Sequence, residues 1–239
     1  MTDLPPPPRP SPDWAFFLDV DGTLIEIAPT PSAIHIPSEL PGQLKALADR
    51  HGGAVATVSG RTIDNQTELL APEVFPAAGL HGLERRRFDG TLLRPPPLPG
   101  LDDLRRRLKP LEGGGVVLED KGLSLALHYR LAPGREEECR QAVAAAAADH
   151  PEFRLLAGKM VFELKPAGVD KGTAVQAFMA EPPFRGRVPV FVGDDVTDED
   201  GFVAANRLGG FAVLVGPARP TAARYRLDDV AACRQWLFG

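Results

Sequence analysis

Four short apolar runs punctuate the chain, each ending in glycine, serine or acidic residues: Ala15–Val20, Ala54–Val58, Val188–Val192 and Phe211–Val215. Near-continuous apolar runs of this length predict strands buried on both faces, as in a parallel sheet. Between them the apolar spacing becomes helical. Leu40, Leu44 and Leu47 fall on one helix face, and Gly52-Gly53 supplies the stop. Ile63 with Leu69 and Leu70 marks a second helix, Ala174 with Ala177 and Phe178 a third, and Phe202 with Ala205 and Leu208 a fourth. Strands alternating with helices predict an α/β fold, a doubly wound parallel sheet.

The middle of the chain has a different rhythm. Leu123, Leu125, Leu127 and Tyr129 alternate with smaller or polar residues. A hairpin with one exposed face is predicted, pairing Val116–Leu118 with Ser124–Tyr129 around Lys121-Gly122. Arg135–His150, rich in Ala and Glu, predicts a helix. Phe153–Leu156 and Met160–Leu164 flank Gly158 as a second hairpin. Residues 84–166 are therefore expected to form an α+β insert within a core of residues 13–83 and 167–239, with hinges near 83–86 and 164–168. Pro95–Pro99 reads as linker, and residues 1–12, with the run Pro5–Pro8, as a poorly ordered polyproline-like tail.

Composition narrows the class. At 239 residues, 44% hydrophobic and 25% charged, the chain can bury a sizeable core and is not largely disordered. A formal net charge of −5 gives no reason to expect nucleic acid or an anionic membrane as partner. The two cysteines, Cys139 and Cys233, form no CxxC pair, which argues against a disulfide framework or a thiolate zinc site. No apolar stretch approaches the roughly 20 residues of a membrane span, and no signal peptide is visible. A cytoplasmic, monomeric enzyme or binding protein is expected.

Candidate chemistry sits at strand ends, where open α/β sheets bind ligands. Asp19-Val20-Asp21-Gly22-Thr23-Leu24 follows the first strand, and two carboxylates two residues apart in extended chain point the same way. A calcium loop counted from Asp19 would want Gly at its sixth position and Glu at its twelfth, where Leu24 and Thr30 stand. An ordinary acidic turn is the plainer alternative. Gly193-Asp194-Asp195-Val196-Thr197-Asp198-Glu199-Asp200 ends the third strand; five acids in seven residues call for a hard cation such as Mg²⁺. Thr197 or Asp198 can also cap the next helix. Ser59-Gly60-Arg61 at the second strand end offers a hydroxyl and amides to an anion, or a simple helix cap. Lys171, just before a helix, suits a phosphate or carboxylate partner.

Together these four segments resemble the haloacid dehalogenase superfamily of phosphatases: DxDGTL, then Ser59, Lys171 and Gly193-Asp194-Asp195 in the expected order. The resemblance extends over nearly the whole chain after the proline tail. The insert matches the superfamily's C2-type cap. Glu119-Asp120-Lys121, His128-Tyr129-Arg130, Gly158-Lys159-Met160-Val161-Phe162-Glu163, Gly79-Leu80-His81-Gly82 and the long acidic stretch narrow it to the trehalose-6-phosphate phosphatase family. One departure is Leu80, where that loop commonly carries a polar residue.

The resemblance implies Mg²⁺-dependent hydrolysis of a small sugar phosphate, trehalose 6-phosphate, in trehalose biosynthesis. It implies Asp19 as nucleophile, Asp21 as the acid and base, and Ser59 and Lys171 on the phosphoryl oxygens. It implies Asp19, Asp194 and the Asp21 carbonyl as metal ligands, with Asp195 and Asp198 behind them. Substrate contacts are implied for Gly22, Arg61, His81, Glu119, Lys121, Arg130, Lys159 and Glu163. His81 either touches the site or merely finishes a tight glycine loop, and Tyr129 either faces substrate or belongs to the cap core. The rival readings are a phosphatase for sucrose phosphate or glucosyl-3-phosphoglycerate, a non-hydrolysing sugar-phosphate sensor, and a receiver-like protein that retains phospho-aspartate.

Overall fold

The computed structural model describes residues 4–27, 34–70 and 75–239. It divides into two units: residues 1–93 with 170–239, and residues 94–169.

In chain order, the first unit begins with β1 (Trp14–Leu18), α1 (Leu40–Arg50), β2 (Val55–Val58), α2 (Ile63–Leu70), β3 (Ala77–Gly79), β4 (Glu84–Arg86) and β5 (Leu92–Leu93). The second unit supplies α3 (Leu101–Leu108), β6 (Val117–Asp120), β7 (Leu125–His128), α4 (Glu136–Ala147), β8 (Phe153–Gly158) and β9 (Val161–Pro166). The chain then returns with α5 (Lys171–Met179), β10 (Val188–Gly193), α6 (Glu199–Arg207), β11 (Phe211–Val215), β12 (Tyr225–Leu227) and α7 (Val230–Phe238).

The first unit's sheet runs β12-β11-β10-β1-β2-β3-β4-β5, parallel from β12 through β3. The strand order reverses at β1. The chain steps outward to β2 and β3 on one side and later to β10, β11 and β12 on the other. Such a reversal opens a crevice beyond the strands' carboxyl ends. The continuous apolar runs have a direct cause. In β1, Trp14, Phe16 and Leu18 pack with α1 and α7, while Ala15 and Phe17 pack with α5 and α6.

In the second unit, the four-stranded antiparallel sheet β6-β7-β9-β8 lays one face on α3 and α4. Leu125, Leu127, Phe162 and Leu164 meet Leu104, Cys139 and Val143 there. Tyr129 belongs to this core and stacks on Phe162 at 5.1 Å between ring centroids.

Several expectations need correction. The insert begins at residue 94 rather than 84, because Glu84–Arg86 pairs antiparallel with β3 and extends the first unit's sheet. Gly158 ends β8, and the turn lies at Lys159-Met160, with Met160 in the left-handed region at φ 63°. The opposite face of the second unit's sheet is not simply exposed, since Ser124 and Ala126 are fully buried. The helix expected over 135–150 is confined to Glu136–Ala147. Of the expected poorly ordered tail, Met1–Asp3 lie outside the described residues, but residues 4–12 are held in place. Pro5 O accepts from Arg226 N at 3.0 Å, Pro8 O from the Trp236 indole at 2.8 Å, and Pro12 O from Arg187 Nη1 at 2.7 Å. Proline lacks a donor but keeps its carbonyl, so a proline-rich segment can still be fixed by acceptor bonds.

Candidate active site

Asp19 leaves the end of β1 with its amide bonded to Val192 O at 2.9 Å, which continues the β1–β10 pairing and buries its carboxylate. Lys171 is the first residue of α5. A capping box sets that helix start: Asp170 Oδ1 accepts from Thr173 N at 2.8 Å, and Thr173 Oγ1 accepts from Asp170 N at 3.1 Å. A buried cation at a helix N-terminus is unfavourable unless acids offset it. Here Lys171 Nζ donates to Asp19 Oδ1 at 2.7 Å and to Asp198 Oδ1 at 2.6 Å.

Asp198 uses its other oxygen on the loop after β10. Its Oδ2 accepts from Asp194 N at 3.0 Å and from Asp195 N at 2.9 Å. Asp198 stands at the N-cap position of α6, but its carboxylate turns back to this loop and makes no side-chain cap bond to that helix. Asp195 instead caps the preceding turn, accepting from Val196 N at 2.8 Å. Asp198 therefore fixes Lys171 and the Asp194 loop together.

Asp19, Asp194 and Asp198 each bring a carboxylate oxygen within 4.8 Å of the others. The Asp21 carboxylate is not in this trio. It takes a bidentate pair from Arg61, with Nε to Oδ2 and Nη2 to Oδ1 both at 2.6 Å, and Arg61 Nη1 also donates to Asn65 Oδ1 at 2.7 Å. Gly22, at φ 84°, lies so close to Asp194 that a Cβ there would sit 2.3 Å from Oδ2. Any side chain at this position would displace the Asp194 carboxylate. An all-carboxylate cradle of this kind suits a hard divalent cation.

The electrostatics agree. Burial, reinforced by the charge of Asp198, pushes the Asp19 pKa well above its ordinary value, against the lowering effect of Lys171. Burial pulls Lys171 down, but Asp19 and Asp198 outweigh it, so the ammonium is held protonated. One lysine charge among three carboxylates leaves the cluster short of positive charge.

Ser59 ends β2, buried, and its Oγ accepts from Arg61 N at 3.2 Å. His81 lies against this loop, and a Cβ on Gly60 would come within 2.7 Å of its Nε2. Asp19, Asp21, Gly22, Ser59, Arg61, Lys171, Asp194, Asp195, Asp198 and His81 thus all belong to the first unit, at strand ends, the loops after them or, for Lys171, a helix start.

The second unit gathers a separate polar cluster on the sheet face away from its helices. Strand register lines up Glu119, Ala126 and Glu163 across β6, β7 and β9. Lys121 Nζ donates to Glu163 Oε2 at 3.1 Å, Ser124 Oγ to Glu163 Oε1 at 2.9 Å, and His128 Nε2 meets Glu119 Oε2 at 2.8 Å. Burial works to raise the Glu119 pKa, but the His128 bond and the Lys121 charge outweigh it and lower it. Arg130 is placed differently: its Nη2 donates to Lys159 O at 3.1 Å, at the turn. Sequence reasoning missed Asn65 and Ser124. Asn65 lies in the first turn of α2, just after Arg61, and Ser124 falls two residues before Ala126, where the strand period held a signal.

A sequence profile described as trehalose-phosphatase matches residues 17–231. The chain belongs to the trehalose-phosphatase family. Family membership makes it a phosphoric monoester hydrolase. It is 44% identical over 213 residues to a probable trehalose-phosphate phosphatase of Sinorhizobium fredii, covering 88% of this chain and 80% of the relative. It is 42% identical over 233 residues to the trehalose-6-phosphate phosphatase of Escherichia coli K12, covering 96% and 87%. The C-terminal domain of C. albicans trehalose-6-phosphate phosphatase superposes with a TM-score of 0.84 over 98% of this chain and 96% of that one. At 22% identity, that likeness speaks to the fold. Among the described residues, no helix is long and apolar enough to cross a membrane.

Proposed function

We propose that this trehalose-phosphatase family member hydrolyses trehalose 6-phosphate to trehalose and inorganic phosphate through an aspartyl-phosphate on Asp19. The observation that carries the reading is the Lys171 bridge, which holds Asp19 and the Asp194 loop at the switch point of the sheet. Lys171 occupies Asp19 Oδ1, which leaves Oδ2 to attack phosphorus. As the P–O bond forms, the bond from phosphorus to the sugar oxygen breaks, and Asp21 delivers a proton to the leaving oxygen. Water then attacks phosphorus, Asp21 takes its proton, and the P–O bond to Asp19 breaks. Ser59 and Lys171 bind the phosphoryl oxygens that carry charge in both transition states. Arg61 holds Asp21 and is assigned to the same anion.

Asp19, Asp194 and the Asp21 carbonyl would hold Mg²⁺, and Gly22 leaves the room this needs. When bound, the ion offsets repulsion between an anionic nucleophile and an anionic phosphate.

The second unit's cluster takes the sugar. A disaccharide offers hydroxyls and little charge, and Glu119, Lys121 and Glu163 supply paired acceptors and donors. Arg130 and Lys159, joined to each other at the turn, are assigned to the sugar as well. The test is phosphate release from trehalose 6-phosphate and glucose 6-phosphate in Mg²⁺ buffer. A strong preference for the disaccharide is expected, and equal rates would overturn the substrate assignment.

A sharper prediction concerns Glu163→Ala. It leaves Lys121 and Ser124 without their carboxylate partner and removes a hydroxyl acceptor, a loss of about 1–3 kcal/mol. Activity on trehalose 6-phosphate should fall about 5- to 150-fold, while p-nitrophenyl phosphate, with no sugar to hold, should be turned over nearly as before. Equal losses on both substrates would place Glu163 in folding or chemistry instead.

A further inference from the structure

We infer that Glu84 is a positioning residue for the phosphate-binding loop, and that the segment Gly79–Glu84 is the clamp through which it acts. The inference rests on the functional reading above. Glu84 is a carboxylate only 2% exposed, and it belongs to none of the motifs that point to phosphatase chemistry. Its Oε2 accepts from Ile63 N at 3.0 Å, and Ile63 is the first residue of α2. It thus satisfies one of the amides a helix start leaves over, with a charge of the favourable sign.

Two more bonds from the same segment reach the same loop. Leu80 N donates to Arg61 O at 2.9 Å, and His81 N donates to Ser59 O at 2.9 Å. The β3–β4 register pairs Gly79 with Glu84, closing the segment at its base. Both Leu80 and His81 lie in the left-handed region, at φ 50° and 57°. Two consecutive non-glycine residues there are costly and persist only where surrounding structure imposes them, often beside ligand sites. The His81 ring covers Gly60 from the same side.

Residues 59–63 are therefore held at three points by one buried segment. Ser59 Oγ already accepts from Arg61 N, so the loop's backbone helps to set where the hydroxyl oxygen sits. A shift of the α2 start would move Ser59 and Arg61 together. Misplacement of about 1 Å at such contacts costs on the order of 100-fold.

Two variants separate positioning from bulk stability. Glu84→Gln keeps an acceptor at the same reach. Glu84→Asp keeps the charge but withdraws it by one methylene. The probe is inorganic phosphate, measured as a competitive inhibitor of p-nitrophenyl phosphate hydrolysis by the Mg²⁺-loaded full chain. With Glu84→Asp, the phosphate Ki should rise about 10-fold or more, and kcat/KM should fall alike for p-nitrophenyl phosphate and trehalose 6-phosphate. With Glu84→Gln, Ki should stay within about threefold of the parent. A merely structural role lowers the folded fraction and leaves Ki unchanged, so an unchanged Ki in Glu84→Asp overturns the inference. So does a tenfold rise in Glu84→Gln, the deciding variant should Glu84→Asp not fold. Failure of the parent protein to hydrolyse either ester would instead sink the functional reading.

Discussion

Asp19→Asn is expected to lower turnover by about four orders of magnitude or more while leaving the fold intact. The amide has the shape of the carboxylate but cannot attack phosphorus, and no other described carboxylate at the site is placed to replace it. Asp194 lies against Gly22, Asp198 is committed to Lys171 and two amides, and Asp21 is held by Arg61. Loss of covalent catalysis removes the step itself rather than one contact to it.

The stability side of the same substitution has a definite sign. Burial and the neighbouring acids raise the Asp19 pKa in the folded state. In metal-free protein its contribution is therefore fully present below the unfolded pKa and lost as pH rises through the raised folded value. Asp19→Asn removes that loss, so at neutral pH, without metal, its melting temperature should match or exceed the parent's. Single-turnover assays and thermal melts check both halves. Appreciable turnover in a well-folded variant would rule out Asp19 as nucleophile, and a much lower melting temperature would contradict the account of its burial.

Chelation should have the next largest effect. EDTA is expected to abolish phosphate release, and added Mg²⁺ to restore it. Asp194→Ala should lose about 100- to 1,000-fold and resist rescue at the Mg²⁺ levels that saturate the parent. That is several kcal/mol of charge stabilisation, at about 1.4 kcal/mol per tenfold. The fold should tolerate the change, because the loop amides that place residue 194 are held by Asp198, not by the Asp194 side chain. A parent enzyme indifferent to EDTA would require another role for the acidic cluster.

The core strands and the placement of Asp19 could be read directly from the chain. Burial on both faces forces apolar residues at successive positions, and the first polar residue after such a run marks the end of the strand. Lys171 was similarly visible, since Asp170 and Thr173 encode a helix start within four residues. The polar row of the second unit was named through the family resemblance, and the strand register then lines up Glu119, Ala126 and Glu163. β4 could not be read this way. Glu84-Arg85-Arg86 shows no apolar alternation, and its strand character comes from pairing with Ala77–Gly79. The same holds for the proline-rich residues 4–12, whose carbonyls find donors at Arg187, Arg226 and Trp236.

The division of labour among the acids was decided in three dimensions. Local spacing made Asp198 a helix cap, whereas folding brings it to Lys171, 27 positions away, and turns it back on the Asp194 loop. Lys171 and Asp19 stand 152 positions apart, and Arg61 and Asp21 stand 40 apart. Local periodicity reports which side of an element a residue occupies. It carries no information on which other strand end will lie opposite, because that depends on the strand order of the sheet. The pairing of charges at this site is therefore a property of topology, imposed when β10 docks beside β1.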